Sequence, residues 1–309
     1  MPSLKTTAAD FDAEMMQIAL RLARRGLGAV APNPAVGAVI ADEATGEVIA
    51  RGWTQPGGRP HAEKEALRRA GLKARGRTMY VTLEPCAHTG RLPTCADAIL
   101  TSGLRRVVCA IPDPNPIVAG RGFGQLRAAG IEVDVGLCEE EAREVTLGHI
   151  LRQTAQRPFV QIKMALDANL SIAAGDGAPV WVTSPEARAL GHMLRAEADA
   201  IVVGSGTVLA DDRAVLDSTL STTPSARVYR SGKKGPRVWL ASALADVERN
   251  ALPLAGVASQ NGAHIPSLLS ALARNGITRI LVEGGPRLWQ SFLGARPVDE
   301  AGDIITPPA

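Results

Sequence analysis

The sequence predicts an α/β layered fold in two domains, residues 1–155 and 156–309. Three observations carry this. The chain has 309 residues, the size of two ordinary domains. Short β-branched runs alternate with amphipathic stretches after an opening hairpin pattern, as expected when strands are covered by helices. Midway, Gln156-Arg157-Pro158 breaks a helical pattern, and strand and helix patterns begin again beyond it.

Taken in order, residues 11–25 predict an amphipathic helix with Met15, Ile18, Ala19 and Leu22 on one stripe. Pro32-Asn33-Pro34 forces a turn, and residues 35–40 read as a strand. Thr45-Gly46 makes a hairpin turn into a strand at 47–52. A Gly/Pro-rich loop, 55–60, delivers His61 to the start of a helix that ends near Gly71. Strands follow at 78–83, 105–111 and 131–135, with helices at 94–101, 122–129 and 139–153 between and after them. The last of these helices has an acidic first turn, which suits the positive end of its dipole. The second half predicts strands at 159–165, 200–203, 238–240 and 279–282, with helices at 185–197, 265–275 and 286–293. The polar, Gly/Pro/Ser-rich stretch 211–236 reads as loop, and no repeat or low-complexity tract interrupts the pattern.

Composition excludes several function classes. Hydrophobic residues make up 46% of the chain, enough for real cores, but aromatics only 3%, which leaves few stacking platforms for single-stranded nucleic acid. A formal net charge of +3 is too small to mark a nucleic-acid binder, so no such partner is expected. The basic clusters Arg21-Arg24-Arg25, Arg68-Arg69-Lys73-Arg75-Arg77 and Arg105-Arg106 read as solvated helix faces and strand ends. No apolar stretch approaches the ~18 residues of a membrane span, and the first residues lack the apolar core of a signal peptide, so no membrane association is expected. Four cysteines in so long a chain are no disulfide framework, which fits a reducing cytoplasm. Cys109 lies in an apolar run and reads as a buried strand residue; Cys138 has no assignment.

The other two cysteines stand where chemistry is expected. His61-Ala62-Glu63 is followed by Pro85-Cys86 and then Cys95. One imidazole and two thiolates supply three corners of a zinc tetrahedron, and a catalytic zinc keeps the fourth corner open. Glu63, two residues from the histidine, is placed to move protons for a metal-activated water. The helix start at Cys95 favours the thiolate, the form that binds metal. Zinc deaminases carry an H-x-E … P-C-x-x-C signature with a glutamate that is not a ligand. Here His-Ala-Glu and Pro-Cys match, but eight residues rather than two separate the cysteines. The competing reading is a closed structural site with His88 as fourth ligand; structural sites more often use tightly paired cysteines.

Together these residues resemble the bifunctional riboflavin-biosynthesis deaminase–reductase family. The resemblance rests on Pro32-Asn33-Pro34-Ala35-Val36-Gly37, His61-Ala62-Glu63, Leu83-Glu84-Pro85-Cys86-Ala87-His88-Thr89-Gly90 and Asp113-Pro114-Asn115-Pro116 through Gly120-Arg121-Gly122, in that order. It implies a cytidine-deaminase-like α/β/α layer domain followed by a dihydrofolate-reductase-like α/β domain that is C-terminally shortened. It implies a small-molecule substrate, a diaminopyrimidinone bearing a phosphoribosylamino group, and a homo-oligomer. His61, Cys86 and Cys95 become the zinc ligands and Glu63 the group that takes a proton from water and passes it to departing ammonia. Asn33, His88, Arg91, Asp113 and Asn115 become substrate contacts, Arg91 facing the ribose phosphate. Asn33, Asp113 and Asn115 are equally at home as turn residues.

In the second half the resemblance implies NADPH-dependent reduction of the opened ribose to ribityl. Its cofactor contacts fall on Ala165, Trp181, Thr207, Asp211 and Gly285, its substrate contacts on Arg195 and Glu283, with Lys163 also matching. Glu283-Gly284-Gly285-Pro286 is a strand–glycine–helix junction whose backbone amides suit a phosphate. The chain departs from the family pattern at Asp167-Ala168-Asn169-Leu170, Pro179, Arg213 and Ser218, and it stops soon after Asp299-Glu300, where the family pattern continues through further strands. These departures leave open a deaminase with an inert reductase domain. A zinc deaminase of another base or nucleotide, and a zinc-stabilised module without activity, are the remaining alternatives; Glu63 argues against the last.

Overall fold

The computed structural model describes residues 7–87, 93–115, 119–166, 185–203, 237–240 and 265–305. The chain divides into two compact units, Met1–Ala155 and Gln156–Ala309.

In the first unit the order is α1 (Ala8–Arg24), β1 (Gly37–Asp42), β2 (Glu47–Trp53), α2 (Ala62–Ala70), a short 3-10 turn (Gly71–Ala74), β3 (Thr78–Val81), α3 (Cys95–Ser102), β4 (Arg106–Cys109), α4 (Arg121–Ala128), β5 (Glu132–Val135) and α5 (Glu139–Thr154). Every element expected from periodicity is present, with ends shifted by a few residues; the 3-10 turn was not expected. The strands form one sheet in the order β2-β1-β3-β4-β5. β1 runs antiparallel to both β2 and β3, whereas β3, β4 and β5 run parallel. This mixture decides where the chemistry sits. The chain enters β1 at the same edge of the sheet at which it leaves β3 and β4, since Ala38 pairs with Val81 and Val81 with Cys109. Asn33, residues 82–86 and Asp113 therefore come to a single edge.

Helix α1 starts at a reciprocal capping box between Thr7 and Asp10 and buries Met15, Ala19 and Leu22 on its inner stripe. It lies so close to β1 that a Cβ on Gly37 would stand 1.9 Å from the Ala19 carbonyl oxygen. The core is continuous from this helix through Ile40, Met79, Tyr80, Val107 and Val108 to Leu126. Cys109 is fully buried on β4, as its apolar run predicts. Cys138 is the residue before α5, with Gln17 donating to its sulfur at 3.6 Å.

One sequence expectation is corrected. Arg106 is not a solvated strand end: only 19% of its side chain is exposed, and it pairs with Asp12, Glu43 and Asp134. Tyr80 donates to the same Asp12 at 2.6 Å. Each carboxylate comes from a different element, so the cluster was invisible to local patterning. A half-buried guanidinium is retained only with such partners, because stripping one away leaves a desolvated charge.

The second unit runs β6 (Phe159–Leu166), α6 (Pro185–Glu197), β7 (Ala200–Val203), β8 (Arg237–Leu240), α7 (Ile265–Arg274), β9 (Arg279–Glu283), α8 (Pro286–Ala295) and β10 (Glu300–Ile305). Its sheet has the order β10-β6-β9-β7-β8, and every pairing is parallel. Val160, Ile162, Val202, Leu269, Leu272, Ile280 and Phe292 form its core. Strand β10 was not expected: Glu-Ala-Gly-Asp-Ile-Ile has no apolar alternation, and its pairing with β6 is what makes it a strand. Asp299 anchors it, accepting two hydrogen bonds from the Arg157 guanidinium and one from the Val160 amide. Among the described residues no helix is long and apolar enough to cross a membrane. The stretch 211–236, expected as loop, lies outside the described residues.

Two outcomes are expected from this packing. Gly37→Ala forces a methyl against backbone rather than a flexible side chain, so unfolding of the first unit should become easier by about 3 kcal/mol, measured by urea or thermal melting. Among the described residues neither ring nitrogen of His149 on α5 has a partner, and burial, helped by the charge of Arg152, lowers its pKa from 6.5 to about 4. The folded state therefore resists the proton that the unfolded chain accepts. Above pH 6.5 the residue contributes no pH dependence; as pH falls from 6.5 to about 4, stability should drop, and His149→Phe should flatten that slope.

Candidate functional site

The edge of the first sheet is assembled by side chain-to-backbone bonds. Thr82 Oγ1 accepts from the Gly37 amide, and Thr54 Oγ1 accepts from the Val36 amide while donating to the Pro34 carbonyl, the latter two at 3.1 Å. Both threonines are buried, so these bonds hold the turn before β1 against the loop after β3. Gly58, with φ of +83°, packs on the Asn33 amide so tightly that a Cβ there would lie 2.0 Å from Nδ2. The loop that delivers His61 is thus also the loop that fixes Asn33.

Three potential ligands converge here. His61 occupies the residue before α2, Cys95 is the first residue of α3, and Cys86 lies in the loop beyond β3. Thr94 and Asp97 cap α3 reciprocally, which sets the direction of the Cys95 side chain. His61 Nδ1 lies 3.3 Å from Cys95 Sγ and 3.7 Å from Cys86 Sγ, and all three donor atoms fall within 4.8 Å of one another. Tetrahedral zinc with bonds of about 2.0–2.3 Å requires donors roughly 3.5 Å apart, so the donor set and its spacing fit the metal. The Cys95 amide also donates to Cys86 Sγ at 3.3 Å, which favours thiolate there.

The charges tell the same story. Hydrogen bonding from Cys95 overcomes burial and pulls the Cys86 thiol down to about 4. The contact with Cys86, together with burial, pushes Cys95 up, while hydrogen bonding to Cys86 raises His61. Two sulfurs in contact cannot both ionise unaided; a dication between them removes the conflict. Glu63 is 3% exposed, and burial pushes its carboxyl upward against the opposing charge of His61.

A cavity of about 260 Å³ opens onto His61, Glu63 and Cys86. Asn33, Asp113 and Asn115 line it, as do the apolar side chains of Val36 and Leu83. The Asn115 amide donates to Asp113 Oδ1 at 2.8 Å, so these two turn residues also hold each other in place. The sequence pointed to all of these except the apolar walls. It missed Glu84, although that residue stands inside a matching motif, and it missed His149, Arg152 and Gln153, which complete the wall from the last turns of α5. Nothing local marks those three. His88 and Arg91 lie outside the described residues.

In the second unit, Lys163 on β6 and Glu283 on β9 are register partners in adjacent parallel strands. Lys163 Nζ reaches Glu283 Oε1 at 3.0 Å, and Arg195 on α6 reaches Oε2 at 2.8 Å. Burial pushes the Glu283 carboxyl up, but the two cations outweigh it and hold the group below its ordinary value. Ala165 lies two residues beyond Lys163 on β6. Gly285 immediately precedes α8; among the described residues no side chain caps that helix, and a Cβ on Gly285 would meet no atom within 4 Å. Trp181, Thr207 and Asp211 lie outside the described residues, as do the departures at 167–170, 179, 213 and 218.

Comparison with known proteins gives the two halves separate matches. Residues 9–111 match the cytidine and deoxycytidylate deaminase zinc-binding region, and residues 158–308 match the RibD C-terminal domain. Riboflavin biosynthesis protein RibD of Aquifex aeolicus is 40% identical over 313 residues, covering 96% of this chain and 87% of that protein. The Escherichia coli protein of the same name is 38% identical over 96% of this chain and 88% of its own length. Among solved structures, Acinetobacter baumannii RibD superposes with a TM-score of 0.78 at 32% identity, over 97% of this chain and 88% of that one. A Thermotoga maritima diaminohydroxyphosphoribosylaminopyrimidine deaminase/5-amino-6-(5-phosphoribosylamino)uracil reductase does so with a TM-score of 0.76 at 34% identity, over 94% and 85%. With its zinc-ligand triad in the first half and a reductase domain in the second, the chain belongs to the RibD family of riboflavin biosynthesis, bifunctional enzymes that carry out a deamination and then a reduction.

Proposed function

We propose that the first unit hydrolyses 2,5-diamino-6-(5-phosphoribosylamino)pyrimidin-4-one to the corresponding uracil and ammonia, and that the second reduces the ribosyl group of that product to ribityl with NADPH. The observation that carries the first step is a buried carboxylate, Glu63, beside a three-donor site in a cavity walled by Asn33, Asp113 and Asn115. His61, Cys86 and Cys95 hold the metal, and zinc, when bound there, supplies the Lewis acid that makes water nucleophilic near neutral pH.

The remaining work falls to side chains. Glu63 takes a proton from water at a carboxylate oxygen and returns it to the amine nitrogen, which leaves as ammonia. Its burial supports this role, since a carboxyl pushed up toward neutrality gives and takes a proton more evenly. The Asn33 amide offers both a donor and an acceptor to the edge of a pyrimidine, and Asp113 offers an acceptor to its amino groups. Val36 and Leu83 provide the apolar faces against which a flat ring rests. The ribose phosphate falls to His88 and Arg91, whose guanidinium matches a phosphate in charge and shape.

For the second step, Lys163 and Arg195 keep Glu283 ionised and present a fixed polar surface to ribosyl hydroxyls. The start of α8 at Gly285, uncapped among the described residues, suits a cofactor phosphate, and NADPH supplies the hydride. Ala165, Trp181, Thr207 and Asp211 complete the cofactor contacts. The cysteine usage supports a cytoplasmic enzyme, and the family resemblance supports a homo-oligomer.

Two measurements test this. Glu63→Gln should retain zinc, measured by metal analysis, while ammonia release falls by about 10²-fold or more; undiminished turnover would overturn the role given to Glu63. A coupled assay with the wild-type enzyme should consume one NADPH for each ammonia released, read as loss of absorbance near ~340 nm. Ammonia release without any NADPH oxidation would leave deamination standing and refute the second step.

A further inference from the structure

Glu84 is 3% exposed and sits between β3 and the metal ligand Cys86. Its carboxylate pairs with no cation among the described residues. Instead, Oε2 accepts from the amides of Asp113 at 3.1 Å and Gly120 at 3.0 Å, and Oε1 from those of Gly122 at 2.9 Å and Phe123 at 3.4 Å. Gly122 and Phe123 lie in the first turn of α4, where amides have no partner within the helix, and Gly120 before it has no side chain to cap them. A residue from the loop after β3 thus caps this helix. The contact is close: a Cβ on Gly122 would stand 2.3 Å from the Pro85 carbonyl oxygen and 3.1 Å from Glu84 Oε1.

The two oxygens of one carboxylate therefore hold both ends of the segment running from Asp113 to Phe123. Asp113 and Asn115, at the start of that segment, line the cavity, and Asp113 in turn holds the Asn115 amide. The other side of the anchor is short and stiff, since the Glu84 amide donates to the Ile111 carbonyl and Pro85 separates Glu84 from Cys86. We infer that Glu84 is a positioning residue for the deamination step, fixing the distance between the metal-ligand loop and the loop that reads the pyrimidine. Glu84 also borders the cavity, but both its oxygens are taken by backbone amides, so it acts through Asp113 and Asn115, and the inference rests on reading those two as substrate contacts.

The test is steady-state deamination by Glu84→Gln, Asn115→Ala and the double variant, with zinc analysis on each. An amide of equal size keeps one oxygen and turns an N–H group toward donors that need an acceptor. Glu84→Gln should raise KM about tenfold, change kcat less than about threefold and keep zinc. The double variant should cost no more in KM than the larger single change, because both act on one contact. Glu84→Asp, which keeps the charge, should recover part of the loss. Additive effects, loss of zinc, or a fall confined to kcat overturn the inference. An unchanged KM in Asn115→Ala overturns the substrate-contact reading and the inference with it; a raised KM there beside an unchanged KM in Glu84→Gln overturns the inference alone. Should Glu84→Gln fail to fold, amide exchange in the unaltered enzyme decides: Asp113, Gly120 and Gly122 should exchange slowly and together, and exchange at the rate of exposed loop would overturn it.

Discussion

Two cysteine sulfurs and an imidazole nitrogen within 4.8 Å of one another impose a requirement on everything around them. In a buried place, neighbouring thiols oppose each other's ionisation: Cys86 is pulled down while Cys95 is pushed up. A divalent cation lets both become ligands. The local architecture is shaped to make this affordable: an amide from Cys95 points at Cys86, and the positive ends of two helices face the cluster. Glu63 belongs to the same first turn as the residue after His61, so the carboxylate is brought beside the metal site by helix geometry alone.

The sheet supplies the second half of the explanation. Because β1 opposes β3 while β4 follows it, one edge collects a strand start and two strand ends. A purely antiparallel meander would scatter Asn33, Cys86 and Asp113 over both edges. Parallel strands need helical crossovers, and here those helices do a second task, since α2 and α3 begin at ligands. The second unit uses a simpler arrangement: all its pairings are parallel, and Lys163 and Glu283 meet because they are register partners in neighbouring strands.

How much was legible in the sequence follows from how far each contact reaches. His61 and Glu63 share one turn, Cys86 follows a proline and Cys95 a capping threonine, so short patterns exposed them. The strands and helices likewise announced themselves through periodicity. What stayed hidden depends on distant partners. Glu84 is an ordinary acidic residue until α4 is folded above it; Arg106 is an ordinary strand arginine until Asp12, Glu43 and Asp134 surround it. His149, Arg152 and Gln153 face the cavity only because α5 lies beside it. Strand β10 has no strand-like pattern of its own, and β6 imposes the conformation.

The Arg157–Asp299 pair joins residues 142 positions apart, and the pairing of β6 with β10 extends that closure. During synthesis, the first unit has its whole sheet and all its metal ligands available by residue 155. In the second unit, one side of β6 must wait until β10, Glu300–Ile305, has been made. Such non-local closure is slow, and an unpaired strand in the meantime is exposed to wrong partners. A metal-binding deaminase half can thus be complete on the ribosome well before its companion, which makes the later half the one that depends on protection while it is being born.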